Sequence, residues 1–318
     1  MTPREQFINA LELGPPQGRV PTFELVFFLT MEAFGKVFPG HRHFSQWGQM
    51  SDHERDLQVT DAAQTFIDTA RRYEHSAIFV HAFSGARDAL SLTAARIREL
   101  TGDEFFLMRH GDATFSIPNG DRMVEFALRL ADDPQGVHHE AAEHVESALA
   151  RSEAEMDAGL WDGFALCADY CLNKGPFLSP AQFGEFVAPY LARLIAGYRD
   201  QGYYAIKHTD GNIMPVLDQL VQCRPHALHS LDPQAGVDIA EVKRLHGREL
   251  CLIGNVNCGL LQTGTDQDCI DSARYALRHG MPGGGYIFST SNCVYTGMPL
   301  ERYELILNVW REEGRYPA

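Results

Sequence analysis

The 318-residue chain has no apolar run of the roughly 18 residues needed to cross a bilayer, so no membrane association is expected. Its first residues, Met1 to Ala10, carry Pro3, Arg4, Glu5 and Gln6 where a secretory leader would have an apolar stretch. A cytoplasmic protein is the expectation. Positive charge is scarce: 27 Lys and Arg stand against 42 Asp and Glu, a net charge of −15. Such a chain repels phosphate backbones, so nucleic acid is not an expected partner. Neither GxGxxG nor GxxxxGK followed by Ser or Thr occurs, which removes the best support for a nucleotide-binding open sheet. The seven cysteines are odd in number and include no CxxC; Cys167 and Cys171 stand four apart. Reduced thiols are the natural reading. No low-complexity stretch and no Pro/Ser linker divides the sequence, so residues 1–318 are read as a single domain.

What the chain does contain is a series of eight short apolar runs: Thr22–Phe28, Ser76–Phe83, Phe105–Gly111, Phe164–Tyr170, Tyr204–Asp210, His226–Pro233, Leu250–Val256 and Gly285–Ser291. Each ends in a polar or glycine cluster and reads as a strand. Helical patterns lie between most of them. The clearest runs from Pro180 to Arg199, with Ser179 as N-cap, Gln182 completing a capping box, and Pro189 predicting a kink. Alternating strands and helices argue for parallel β/α units, and eight of them for a (β/α)8 TIM barrel of the α/β class. Two long loops interrupt the alternation. The one after the first strand holds a helix from about Asp52 to Tyr73; the one after the third opens on an Asn119-Gly120 hairpin turn and continues in a helix from about Gly136 to Gly159.

In such a barrel the working face is the C-terminal end of the strands. The polar residues there are Glu24 on the first strand, His81 after the second, Arg109 and His110 on the third, and Asp169 and Tyr170 on the fourth. His208 and Asp210 follow on the fifth, Asp232 after the sixth, Asn255 after the seventh and Cys293 after the eighth. His208 and Asp210 stand two apart and so face the same side. With Cys293 they form three competent zinc ligands, the number that leaves an open position for chemistry. The same spacing also suits a metal-free wall in which Asp210 caps the following turn and Cys293 is buried. Other clusters read as structure. His139 and His144 stand five apart on a charged helix and miss the zinc spacings; Gly283-Gly284-Gly285 precedes the eighth strand and reads as a tight turn.

One ordered series of segments then carries a resemblance: Leu178-Ser179-Pro180-Ala181-Gln182-Phe183, Lys207-His208-Thr209-Asp210-Gly211-Asn212, Ile253-Gly254-Asn255-Val256-Asn257, Gly283-Gly284-Gly285-Tyr286-Ile287 and Met298-Pro299-Leu300-Glu301. Together they resemble the uroporphyrinogen decarboxylase superfamily, from Arg19-Val20-Pro21 onward. The resemblance implies the barrel. Its decarboxylase branch carries an RQAGR-type arginine segment and an Asp after the second strand. Here the first is absent and the second strand ends His81-Ala82-Phe83-Ser84-Gly85. The other branch, the zinc-dependent corrinoid methyltransferases, has an HxC motif after the fifth strand and a second Cys after the eighth. His208 and Cys293 match, and Asp210 replaces the first Cys.

The resemblance therefore implies a methyltransferase moving a methyl group between a small methylated substrate, of methoxy, methylamine or thiol type, and a corrinoid held by a partner protein. Zinc would sit on His208, Asp210 and Cys293. Glu24 would be a further ligand or proton donor, and Asp169 and Tyr170 would act at the substrate. His81, Arg109, His110, Asn255 and Asp232 would line its site. The alternative is a metal-independent decarboxylase or lyase in which Arg109 and His110 hold carboxylates. A homodimer is among the assemblies the chain allows.

Overall fold

A computed structural model of the chain describes residues 1–317 apart from Ala82 and Arg87; Ala82, within the expected second strand, thus lies outside the described residues. In chain order the strands are β1 (Ala77–Phe79), β2 (Phe106–His110), β3 (Gly163–Leu166), β4 (Cys171–Leu172), β5 (Gly175–Pro176), β6 (Tyr204–His208), β7 (Ala227–His229), β8 (Cys251–Ile253) and β9 (Tyr286–Ile287). Seven of them form one curled parallel sheet, ordered β1-β2-β3-β6-β7-β8-β9 and surrounded by helices. β4 and β5 pair as a small antiparallel hairpin beyond β3. Seven expected strands are therefore found, each shorter than its apolar run. Almost no charged side chain interrupts the sheet, because strands covered by helices outside and packed inside are buried on both faces.

The first expected strand is a correction. Thr22–Phe28 is buried along nearly its whole length but makes only isolated bridges, Thr22 to both His75 and Phe288 and Phe27 to Val294. It lies between the two edges of the sheet: Ser76 N–H donates to the Thr22 carbonyl (2.7 Å), Phe288 N–H to that of Pro21 (2.9 Å) and Val294 N–H to that of Val26 (2.9 Å). A continuous ladder is prevented at two points. Pro21 has no N–H to give, and the N–H of Thr290 donates to the Glu24 carboxylate (3.2 Å) rather than to a main-chain carbonyl. The result is a distorted (β/α)8 barrel with an irregular eighth stave.

The helix Pro3–Leu11 caps the end of the barrel away from the site, with Phe7 against Phe106 (ring centroids 4.8 Å apart) and Phe23 (5.8 Å). The Ser179–Gln182 capping box is present, and the expected helix behind it divides into Pro180–Phe186 and Ala188–Asp200. The break at Val187 precedes Pro189, which cannot donate to the turn before it. Asp52–Arg72 appears as a helix behind the Ser51 cap, and Pro134–Ala154 replaces the expected 136–159. The Asn119-Gly120 hairpin is absent: that turn opens a further helix, Arg122–Asp132, with no strand beside it among the described residues. The expected Gly283–Gly285 turn is found, all three glycines having positive φ (80°, 76° and 57°). No helix among the described residues is long and apolar enough to cross a membrane.

Candidate metal centre

β6 and β7 pair in register with His208 beside His229. Parallel neighbours at the same register point their side chains the same way, and the two imidazoles meet, Nδ1 to Nδ1 at 2.7 Å. The other nitrogen of His208, Nε2, faces two carboxylates: Oδ1 of Asp210 at 3.6 Å and Oδ1 of Asp169 at 3.9 Å. Asp210 is two residues further along the same chain, and Asp169 follows β3, the neighbour of β6. One ligand atom from each of Asp169, His208 and Asp210 lies within 4.8 Å of the others.

Exposure is graded across this group. The His208 side chain is 6% exposed, that of Asp210 31% and that of Asp169 46%, so the cluster opens on one side. Both carboxylates are held in place. Asp169 accepts the N–H of Asp210 (2.9 Å); Asp210 accepts the Ser230 hydroxyl (2.9 Å) on one oxygen and the Asn292 amide on the other. Burial, with Lys207 nearby, pushes His208 down to about 3, so its ring stays neutral with a lone pair to give. Burial and then Asp169 raise Asp210 to about 7. One neutral imidazole and two carboxylates in mutual reach are a donor set that zinc accepts. The set is harder than one containing thiolates.

The structure redistributes the expected site. His208 and Asp210 come together as expected, but the third member is Asp169; Cys293 lies outside the 4.8 Å group. Its half-buried thiol is close enough to feel Asp210, and burial followed by Cys258 pushes it far above the usual thiol range. Glu24 is not in the group either. Its carboxyl is buried at the seam of the barrel, accepting from Thr290 N–H and from the hydroxyls of Ser289 (3.3 Å) and Thr290.

Tyr170 faces away, its hydroxyl on Thr114 and its ring 4.2 Å from the Lys207 ammonium. Strand alternation puts Arg109 outside as well. It pairs with Glu155 (3.0 Å) and lies over Phe164, on the face of β2 opposite His110. Asn255 donates to the Leu231 carbonyl (3.0 Å) and Asp232 caps the turn at Gln234 (2.9 Å), so both hold loops.

His110 and His81 remain at the mouth. His110 is exposed, with Nδ1 on the Ala165 carbonyl (3.2 Å); His81 is pushed to about 4 by burial, then by His110 and His41, and its Nε2 has no partner among the described residues. Sequence reasoning gave His229 no role in the site and passed over Ser230 and Asn292; all three touch the cluster. His229 lies in the sixth apolar run, but only the register shows that it meets His208.

Glu24 has a consequence for stability. Burial lifts it from 4.5 to about 8 against the opposing hydrogen bonds of Thr290. The unfolded chain releases this proton near 4.5 and the folded one near 8, so stability falls as pH rises between those values and levels off above. The slope is about 1.4 kcal/mol per pH unit. Glu24→Gln should therefore gain on the native protein by a few kcal/mol as pH rises from about 5 to about 8. Urea unfolding at both ends of that range checks it; parallel pH profiles for the two proteins rule it out.

The profile of the uroporphyrinogen decarboxylase (URO-D) family matches residues 162–313, a little under half of the chain, including Asp169, His208, Asp210 and Cys293. No curated protein gives a significant sequence match. A solved methyltransferase from Methanosarcina mazei is similar in fold, with a TM-score of 0.74 over 98% of this chain and 99% of that one, at 15% sequence identity. Dihydropteroate synthase from Anaplasma phagocytophilum aligns at 11% identity over 83% of this chain and 94% of that one, with a TM-score of 0.36. The cyclic maltosyl-maltose hydrolase of Arthrobacter globiformis does so at 11% over 95% and 78%, with a TM-score of 0.43. The last two are too distant to carry an argument. The C-terminal half is thus uroporphyrinogen decarboxylase-like, and the whole chain shares its fold with a methyltransferase.

Proposed function

We propose that the protein is an enzyme that moves a methyl group between a small methylated substrate, of methoxy, methylamine or thiol type, and the cobalt of a corrinoid presented by a partner protein. The observation that carries this reading is the Asp169–His208–Asp210 cluster at the C-terminal mouth of the barrel, open to solvent on one side. Zinc held there by these three residues would supply a Lewis acid toward the heteroatom that bears the methyl group.

The chain's own residues do the rest. Ser230 and Asn292 fix the Asp210 carboxylate, and the Asp210 main chain fixes that of Asp169, so the donor set is preorganised before substrate arrives. His81 and His110 line the mouth, and the departing heteroatom takes its proton from the solvent-facing side of the cluster. In transfer to the corrinoid, the carbon–heteroatom bond breaks with its electron pair staying on the heteroatom, which takes that proton. The corrinoid, as the methyl acceptor, would supply the electron pair for the new bond to carbon.

The URO-D match favours a second reading, a metal-independent decarboxylase or lyase. Against it stands Arg109, the cation that would hold a carboxylate, which is paired outside the barrel. The test is transfer to free cob(I)alamin from a panel of methoxy, methylamine and thioether donors, followed by the visible spectrum of methylcobalamin, with and without zinc. Zinc-dependent methylation is expected. Carbon dioxide released from uroporphyrinogen, with no methylation from any donor, replaces this reading with the second.

A further inference from the structure

Arg19 and Arg315 stand directly opposite each other on a short stretch of antiparallel backbone. The bonds that hold the stretch lie on either side of the pair: Tyr316 N–H donates to the Gly18 carbonyl (2.9 Å) and Val20 N–H to that of Gly314 (2.8 Å). Arg19 and Arg315 are therefore a non-hydrogen-bonded pair, the arrangement in which opposed side chains come closest, and both leave the backbone on the same side. Like charges so placed repel.

Both arginines line one cleft of about 430 Å³, with Arg71, Val20, Phe105 and Trp310 among its walls. Val20 precedes the irregular stave and Phe105 precedes β2, so the cleft lies at the end of the barrel opposite the mouth. The two carboxylates that line it are already engaged. Glu104 takes Arg71 on both oxygens (2.7 and 3.3 Å). Glu74 takes Arg19 Nη1 on one oxygen (3.0 Å) and Arg311 Nε on the other (2.7 Å). None is left for Arg315, which is exposed and makes no ion pair among the described residues, although the whole chain carries a net charge of −15. The Nε of Arg19 is buried and also has no partner among the described residues. Trp310, with its ring centroid 4.9 Å from the Arg19 guanidinium, holds that side chain in place.

We infer that this cleft binds a small organic dianion, its charged head between Arg19 and Arg315 and its carbon body against the apolar wall. A phosphate monoester and a dicarboxylate share this chemistry, because a guanidinium fork bonds either head in pairs. The cleft has the size of a small-molecule site and leaves room for more than inorganic phosphate. Arg19 leads into the irregular stave and Arg315 follows the last helix, so a bound dianion ties the two ends of the chain together. A ligand held only by the folded protein raises its unfolding midpoint.

Titration calorimetry of the full-length protein with phenyl phosphate and with phthalate, beside inorganic phosphate, tests this. At least one organic dianion should bind saturably, more tightly than inorganic phosphate, and should raise the thermal midpoint; which of the two does so identifies the head. Arg315→Gln should weaken that binding on the order of tenfold or more. His208→Ala, which alters the mouth, should leave it unchanged. Without ligand, Arg315→Gln should unfold no earlier than the wild type, since it removes a like charge opposite Arg19. No binding of either organic dianion overturns the inference, as does inorganic phosphate binding equally well. Binding that survives Arg315→Gln, or is lost in His208→Ala, places the ligand elsewhere and overturns it too. An earlier midpoint for ligand-free Arg315→Gln makes that arginine part of the scaffold, with the same result.

Discussion

Purified wild-type protein grown with zinc should carry about one zinc per chain, and His208→Ala should carry none. His208 supplies the only nitrogen in the cluster, and what is left is a pair of carboxylates, one of them nearly half exposed. Two like charges that close repel, as the elevation of Asp210 by Asp169 already reports, so the pair alone is a poor substitute. The loss should exceed the roughly 10–100-fold that removal of an outer partner costs. Asp169→Ala and Asp210→Ala should behave alike.

Cys293→Ala separates two donor sets. Retained zinc means that the three gathered residues suffice; lost zinc makes the thiol a fourth ligand. The barrel should survive the His208 substitution, with unchanged circular dichroism, because His208 is the last residue of β6 and alanine leaves the main-chain pairing of the strand in place. Zinc retained at wild-type level in His208→Ala removes the cluster from the mechanism altogether.

The second large effect is structural. Lys207 is fully buried, alternating with His208 on β6 and therefore on the opposite face. Its ammonium meets Asp112 (2.8 Å) and the carbonyls of Leu166 (3.1 Å) and Ala168 (2.8 Å). Lys207→Met would leave the Asp112 carboxylate buried without a cation. Breaking such a pair costs about 3–5 kcal/mol, at the low end here because Asp112 keeps the N–H and hydroxyl of Thr114 and the N–H of Ala168. Urea unfolding measures the loss, and Lys207→Met with Asp112→Asn together should recover part of it. A single variant as stable as the wild type contradicts the argument.

The pH dependence has a definite sign. Burial works to raise Asp112, but Lys207 outweighs it and holds the group below its ordinary 3.8. Its contribution is therefore intact at neutral pH and is lost only as pH falls from about 3.8 through the depressed folded value.

The eight apolar runs were legible because strands buried on both faces write themselves as uninterrupted apolar sequence. Seven locate real strands, and the eighth fails for a reason that the pattern does not carry: Thr22–Phe28 is apolar and buried, but its ladder is broken by Pro21 and by a carboxylate within it. His208 and Asp210 were legible as a pair because a two-residue spacing puts side chains on one side. Asp169 was visible as a polar strand end, yet its approach to His208 depends on how β3 sits against β6. His229 and Asn292 depend likewise on register and loop path, which one sequence does not encode locally. Arg109 shows the reverse: beside His110 it looked like part of the mouth, and a one-residue step turned it to the helices.

The irregular stave also bears on how the ring is assembled. Thr22 closes on Phe288 through its hydroxyl, and Glu24 on Thr290, each across 266 residues of chain. Contacts of such span are entropically the most expensive to form and come late. The seven-stranded sheet can grow by adding neighbours in sequence, while the seam waits for the last strand. Glu24 reaches its buried position only at that final step, when Ser289 and Thr290 come against it. Asp169, His208 and Asp210 stand on or after the neighbouring β3 and β6 and can gather before the ring closes, while Asn292, which fixes the Asp210 carboxylate, arrives only with the last strand.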